Sequence, residues 1–203
     1  MKVSAICIGT AQRLPGKSYR TGIFKASMTG PVLLDQHGLL GDSVCNRKHH
    51  GGPDQAVYGM GSVDIDGWTD ELGRRPEPGL FGENLIIEGV DSRNIRVGDR
   101  FETGTILLEV TSTRIPCATL AARMGDGGFA KRFMAVARPG FYCRVLSQGL
   151  IGAGEPVHHE AYPDASISMP DLLALTPRKL SDEDRARLIG LPISERLRQA
   201  LKT

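Results

Sequence analysis

Glycine divides this chain into two regimes. Of 25 glycines in 203 residues, 24 precede residue 160 and only Gly190 follows. Average usage of about 7% would give roughly 14 in a chain this long. The surplus shows no three-residue period, which excludes collagen, and no Gly/Ser tract, which argues against a flexible linker. Up to residue 160 it therefore specifies a compact fold with many tight turns or several loops lined by backbone.

Between these glycines the apolar residues fall in short runs. Lys2 to Gly9, Gly22 to Met28, Pro31 to Leu34, Ala56 to Met60, Glu83 to Glu88, Ile95 to Glu102, Thr105 to Thr113, Phe141 to Leu146 and Glu155 to Glu160 read as strands. Thr105 to Thr113 is the clearest, β-branched at both ends and stopped by Ile115-Pro116. Three segments read as helices: Ser62 to Leu72, with Ser62 as N-cap and Gly73 as stop, then Cys117 to Met124 and Phe129 to Ala137. Short strands punctuated every 8 to 12 residues predict an all-β barrel or sandwich rather than a doubly wound α/β fold.

After about residue 163 the pattern turns helical. Ser168 opens one helix through Leu175. Ser181-Asp-Glu-Asp184 opens a second that stops at Gly190, and Pro192 begins a third through Leu201. The expected organisation is a mainly β domain over 1–163 with a few short helices, followed by a three-helix extension over 166–203. That extension is too small to be stable alone.

Charge and cysteine content exclude several classes. Lys+Arg is 25 and Asp+Glu 23, a net charge of +2, and no basic run stands out, so a nucleic-acid polymer is not the expected partner. No apolar run approaches the ~18 residues of a membrane span. The first residues show no signal-peptide pattern, and a cytoplasmic protein is expected. Cys7, Cys45, Cys117 and Cys143 form no C-x-x-C pair, which leaves zinc-ribbon, thioredoxin-like and iron–sulfur readings without support.

Two places carry chemistry. Cys117 follows a strand and Arg114-Ile115-Pro116, and it starts a helix, where the helix dipole and a nearby cation favour a thiolate. Such a thiolate suits a nucleophile or a soft metal ligand; a buried structural cysteine is the alternative. The second place is the loop Arg47-Lys48-His49-His50-Gly51-Gly52-Pro53-Asp54. Its glycines allow close backbone approach, and its cations suit an anion such as phosphate; a solvated basic turn is the alternative. Phe81-Gly82-Glu83-Asn84 has the composition of a site loop. Lys25 and Arg138 are lone cations near turns, open to a surface-charge reading.

Taken in order, Thr21-Gly-Ile-Phe-Lys25, Gly38-Leu-Leu-Gly-Asp42, His50-Gly-Gly-Pro-Asp-Gln-Ala-Val57, Phe81-Gly-Glu-Asn-Leu85, Val97-Gly-Asp-Arg-Phe101, Leu108-Glu-Val-Thr111, Arg114-Ile-Pro-Cys117 and Gly140-Phe-Tyr-Cys-Arg-Val145 resemble the MOSC domain family, named after the molybdenum cofactor sulfurase C-terminal domain. The resemblance is to its YiiM-like branch and runs from about residue 3 to 160; residues 166 to 203 resemble the three-helix extension of that branch. It implies a MOSC-type β-barrel that binds a molybdopterin-type molybdenum cofactor, with Cys117 as catalytic residue and molybdenum ligand. It further implies an oxidoreductase that removes oxygen from N-hydroxylated substrates, for example purine bases, with electrons from a separate donor protein. The alternative is a non-redox carrier of cofactor or sulfur using a Cys117 persulfide.

By the same resemblance, Lys25, Arg47, His50 and Arg138 would hold the pterin phosphate or line the metal pocket. Gly51, Gly52 and Gly82 would give close backbone approach. Asp54 and Asn84 would bond the pterin or brace those loops, and Arg114 would stabilise the thiolate. The C-terminal helices are expected to provide a homodimer or donor contact. One departure is Ser62-Val-Asp-Ile-Asp-Gly-Trp68, where the branch carries an aromatic and histidine-bearing helix and this chain keeps only Trp68.

Overall fold

The structure, a computed structural model, describes residues 1–46 and 50–202. Eight strands form the main sheet: β1 (Val3–Gly9), β2 (Lys25–Ser27), β3 (Val57–Gly61), β4 (Leu85–Ile87), β5 (Arg100–Thr103), β6 (Ile106–Thr113), β7 (Phe141–Ser147) and β8 (His158–Glu160). Their order is β8-β5-β6-β7-β3-β4-β1-β2. Among the described residues only β3 and β4 pair in parallel, Gly59 opposite Leu85. The helix α1 (Ser62–Leu72) supplies the crossover such a pair needs.

The fold is sheet-rich, but the expected barrel is not a closed ring of strands: β8 and β2 are the edges of an open ladder among the described residues. Backbone bonds nevertheless draw Met1 to Val3 against the segment before β8. Val3 N donates to Glu155 O (2.9 Å), Gly154 N to Val3 O (2.8 Å) and Val157 N to Met1 O (2.9 Å).

The period of two along the strands sorts side chains into two cores. Leu85 and Ile87 of β4, Val57 of β3, and Phe141 and Cys143 of β7 enter one cluster with Val3, Ile6, Phe101 and Val110. The residues between them, Ile86, Tyr58, Met60 and Tyr142, enter the other. This second cluster is closed by α1 and α3 (Phe129–Val136), whose Trp68, Phe129 and Phe133 are fully buried together with Phe81. Trp68 is the centre, 4.9 Å from Phe81 and 5.5 Å from both Phe129 and Phe133, ring centroid to ring centroid.

Three of the boundaries that differ from expectation have an identifiable local cause. The N-cap of α1 is Gly61 rather than Ser62, because the buried carboxylate of Asp64 accepts from Gly61 N (2.9 Å). The run from Ile95 becomes a strand only at Arg100, since Val97 N donates instead to Ile167 O in the C-terminal region (3.0 Å). The last helix starts at Glu195, not Pro192, because Ser194 N is used by Thr111 O on β6 (3.1 Å).

The extension comprises α4 (Met169–Ala174), α5 (Asp182–Gly190) and α6 (Glu195–Lys202). Its Met169, Leu172, Leu188, Leu191, Ile193 and Leu201 belong to the same core cluster as β1 and β4. Among the described residues, no helix is long and apolar enough to cross a membrane.

Candidate functional site

One rim of the sheet gathers the segments named above. The chain leaves β6 at Thr113 and runs through Arg114 to Cys117, the N-cap of α2 (Ala118–Met124). Phe81 to Asn84 leads into β4, Ala56 into β3, Gly9 ends β1, and Lys25 opens β2 opposite Gly9. Between them lies a cavity of about 810 Å³, walled by Lys25, His50, Gly51, Gly82, Asn84, Arg114 and Cys117 along with other residues. That volume falls in the range of small-molecule and cofactor sites.

Cys117 is half-buried and differs from the chain's other described buried thiols. Burial pushes it upward, but hydrogen bonds from His50 and from the Leu120 backbone, with the charge of Arg114, outweigh that and bring it down to about 6. Burial pushes Cys7 up to about 12, and neither its hydrogen bond with Ser27 nor the charge of Lys25 offsets that. The thiolate form of Cys117 is therefore favoured at neutral pH, through His50, the Leu120 backbone and the charge of Arg114.

Arg114 is 6% exposed. Its guanidinium lies over the Tyr58 ring, 4.8 Å from the centroid, and Nη1 donates to the Tyr142 hydroxyl (3.5 Å). Arg114 Nε and the neighbouring Thr113 Oγ1 are buried without a hydrogen-bond partner. Unmatched buried polar atoms are costly, so two of them on one cavity wall point to a ligand that satisfies them.

Beneath the cavity lies a buried polar hub at Asp42. Its Oδ1 accepts from Gly9 N (2.8 Å), and its Oδ2 accepts from Asn84 Nδ2 (2.9 Å) and from Lys25 Nζ. Asn84 also donates to Cys7 O (3.3 Å) and accepts from Tyr58 N (3.2 Å), tying β1 to β3. Glu83, fully buried, accepts from Gly79 N and Phe81 N (2.5 and 3.0 Å) and so shapes the loop that presents Gly82. Gly82 and Gly51 have φ of +80° and +72°, a region that favours glycine, and both line the cavity.

Other expected site residues lie elsewhere. Arg138 does not line the cavity: its Nη1 pairs with Asp91 (3.2 Å) and Asp64 (3.6 Å), and its carbonyl accepts from the Trp68 indole (3.2 Å). It clasps α1 to the turn before Ser92. Gly52, at φ +87°, is outside the cavity wall, as is Asp54. Asp54 instead pairs with Arg144 (2.9 Å) and accepts from Glu195 N at the start of α6 (2.7 Å). Arg47 lies outside the described residues. Lys25 does line the cavity, but its ammonium is committed to Asp42.

Sequence reasoning missed Asp42, Glu83, Tyr58, Tyr142, Arg20 and Arg196. Asp42 and Glu83 were inside quoted motifs, and their acidic character beside glycine was the available signal. Arg196 sits in the helical tail, and no local pattern connects it to this rim. Among the described residues, no group of three or more His, Cys, Asp or Glu could hold a metal ion.

The MOSC domain family model matches residues 46–158. YflK of Bacillus subtilis (strain 168) is 32% identical over 154 residues, 75% of this chain and 70% of that protein. A Gibberella moniliformis protein named Reductase is 31% identical over 204 residues, 93% of this chain but 36% of its own length, so the chain spans about a third of it. The crystal structure of YiiM from Geobacillus stearothermophilus superposes with a TM-score of 0.78 at 23% identity, covering 98% of each chain, and shows the shared fold. A family model that spans most of the rim, from the His50 loop through Cys117 to β8, leaves no other reading of the ancestry: the chain belongs to the MOSC domain family.

Proposed function

We propose that this protein is a molybdenum-cofactor-dependent reductase that removes oxygen from N-hydroxylated compounds, N-hydroxylated purine bases among them, using electrons from a separate donor protein. The observation that carries the reading is the Cys117 thiolate in the wall of the 810 Å³ cavity. Family membership and a relative named Reductase support it.

The residues present fit such a cofactor. A single soft thiolate suits a metal whose other donors come with the cofactor. Arg114 Nε and Thr113 Oγ1 are buried donors without a partner. The wall is positively charged through Arg20, Arg114 and Arg196. When bound, the cofactor supplies two-electron oxygen-atom transfer.

The chain's own residues then have distinct tasks. Cys117 Sγ would be the protein ligand to the metal. His50 and Arg114 hold that sulfur deprotonated, His50 through a hydrogen bond and Arg114 through its charge. Tyr58 and Tyr142 fix the guanidinium of Arg114. Asp42 and Asn84 hold β1, β2 and β3 in the positions that define the cavity floor.

The test is metal and pterin analysis of protein purified from a molybdenum-replete host, with an N-hydroxylated adenine and a chemical electron donor as substrates. The expected result is bound molybdenum and pterin, turnover of the N-hydroxyl compound, and loss of both metal and turnover in Cys117→Ala. Protein without metal or pterin overturns the reading. The same low-pKa thiol would also serve a sulfur carrier. That second reading requires a labile sulfur on Cys117 in the intact mass and no turnover.

A further inference from the structure

The C-terminal extension reaches the cavity. Arg196, in the first turn of α6, is part of the wall, although it lies about eighty residues beyond Cys117 in the chain. Its Nη1 donates to Gln55 Oε1 (2.8 Å), and Gln55 lines the same cavity. The helix start is pinned beneath it. Glu195 N donates to Asp54 Oδ2 (2.7 Å), Ser194 N donates to Thr111 O (3.1 Å), and Arg144 donates to Pro192 O and Ile193 O (3.2 and 3.1 Å). Ile193 and Ser194 are buried. Arg196 is therefore carried on a fixed backbone rather than on a loose tail.

Arg20, Lys25, Arg114 and Arg196 are the arginines and lysine of the described wall. Lys25 neutralises Asp42 inside the protein, and Arg114 stands beside the thiolate with its guanidinium on Tyr58. Arg20 and Arg196 stand exposed at the rim, where an anionic group can meet a guanidinium. A planar guanidinium matches a phosphate with paired hydrogen bonds.

We propose that Arg196 of the C-terminal extension is an anion-binding residue of the cavity and grips the phosphate end of a phosphate-bearing ligand, so that the extension completes the site. The inference rests on the function proposed above, because it takes the cofactor phosphate as the natural anion of this cavity. Gln55 orients the guanidinium, and the Asp54, Thr111 and Arg144 contacts set its position.

Calorimetric titration of the full chain with inorganic pyrophosphate tests this, using protein from a host that makes no molybdopterin. Wild type should bind, and Arg196→Ala should bind about tenfold more weakly, the loss expected for one charge-assisted contact. Arg196→Lys should recover part of the affinity, and Arg178→Ala, on the extension but away from the cavity, should bind like wild type. An unchanged melting temperature in Arg196→Ala shows that the fold is intact. Equal binding by Arg196→Ala and wild type overturns the proposal, as do absence of binding by wild type and an equal loss in Arg178→Ala. Molybdenum and pterin contents after expression in a replete host separate the two readings. Wild type lacking both, with the pyrophosphate difference present, sinks the proposed function and leaves this inference standing. Loaded wild type and an equally loaded Arg196→Ala that also keeps pyrophosphate affinity do the reverse.

Discussion

The guanidinium carbon of Arg114 lies over Tyr58, 4.8 Å from the ring centroid, and Tyr58 is itself pinned by donating to Pro139 O (2.8 Å). This stack fixes the cation that acts on Cys117 and on the buried Glu83 carboxylate. Arg114→Met should remove both effects. The Cys117 thiol is expected to move up toward its ordinary value, and Glu83, which burial already pushes upward, should take up a proton more readily. The Tyr142 hydroxyl loses its donor, and stability should fall by about 1–3 kcal/mol. Urea unfolding and the pH dependence of thiol alkylation read the two consequences separately. Arg114→Lys should restore part of the thiol shift because it keeps the charge.

The thiol of Cys117 should titrate near pH 6 in protein free of metal. Iodoacetamide labelling, followed from pH 4 to 9, should show its midpoint there. His50→Ala removes one of the hydrogen bonds that stabilise the thiolate, and the midpoint should rise. It should stay below 9, since the Leu120 backbone bond and Arg114 remain. The stability consequence has a definite sign. The folded thiol is more acidic than the unfolded one, so its contribution is fully present above pH 9 and is lost as pH falls through about 6. Cys117→Ser should flatten that slope in denaturant titrations. A wild-type midpoint at the ordinary thiol value would remove the electrostatic role given to His50 and Arg114.

How much of this was legible in the residues varies by type of evidence. Strands were readable because Leu85, Ile86 and Ile87 or Phe141, Tyr142 and Cys143 sit between glycines in short apolar runs. Their sorting into two cores follows from the period of two. The position of Cys117 at a helix start was readable because strand, proline and helix start coincide there. Arg138 was not readable. A lone cation beside a turn has the same local appearance whether it faces a cavity or, as here, a buried aspartate contributed by a helix more than seventy residues earlier. Arg196 was hidden for the same reason, since only tertiary packing brings α6 to the rim. The barrel expectation went too far because strand count and spacing do not reveal whether the edge strands meet.

Asp42 is the residue on which the cavity floor depends. It takes the Lys25 ammonium, the Asn84 amide and the Gly9 backbone, and both it and Lys25 are almost wholly buried, 8% and 9% exposed at the side chain. Burial pulls the lysine downward, and Asp42 opposes that shift. Asp42→Ala leaves an uncompensated ammonium in the interior, at a cost of about 3–5 kcal/mol. The paired change Asp42→Ala with Lys25→Met should recover much of the loss, because it removes the stranded charge. Chemical denaturation of the three variants checks this. Equal losses in the single and double variants would show that the ion pair is not what Asp42 contributes.

Arg144 joins the sheet to the extension. It pairs with Asp54 (2.9 Å) and Glu109 (3.4 Å), and the same guanidinium donates to the carbonyls of Pro192 and Ile193. Arg144→Met keeps the length of the stem but removes the Arg144 ion pair from Asp54, leaves Glu109 with Arg100 alone, and takes the Arg144 donor from two carbonyls. The start of α6 should then loosen while the core cluster that holds Leu188 and Leu201 persists. Limited proteolysis should cut between Gly190 and Arg196 several-fold faster than in wild type, with only a modest drop in melting temperature. Arg100→Met supplies the control: Arg100, itself exposed, pairs with Glu109 (3.1 Å) and among the described residues has no bond to the extension, so cleavage there should stay at the wild-type rate. A tail equally resistant in both variants would mean that apolar packing alone seats α6, and Arg144 would then have no part in positioning Arg196.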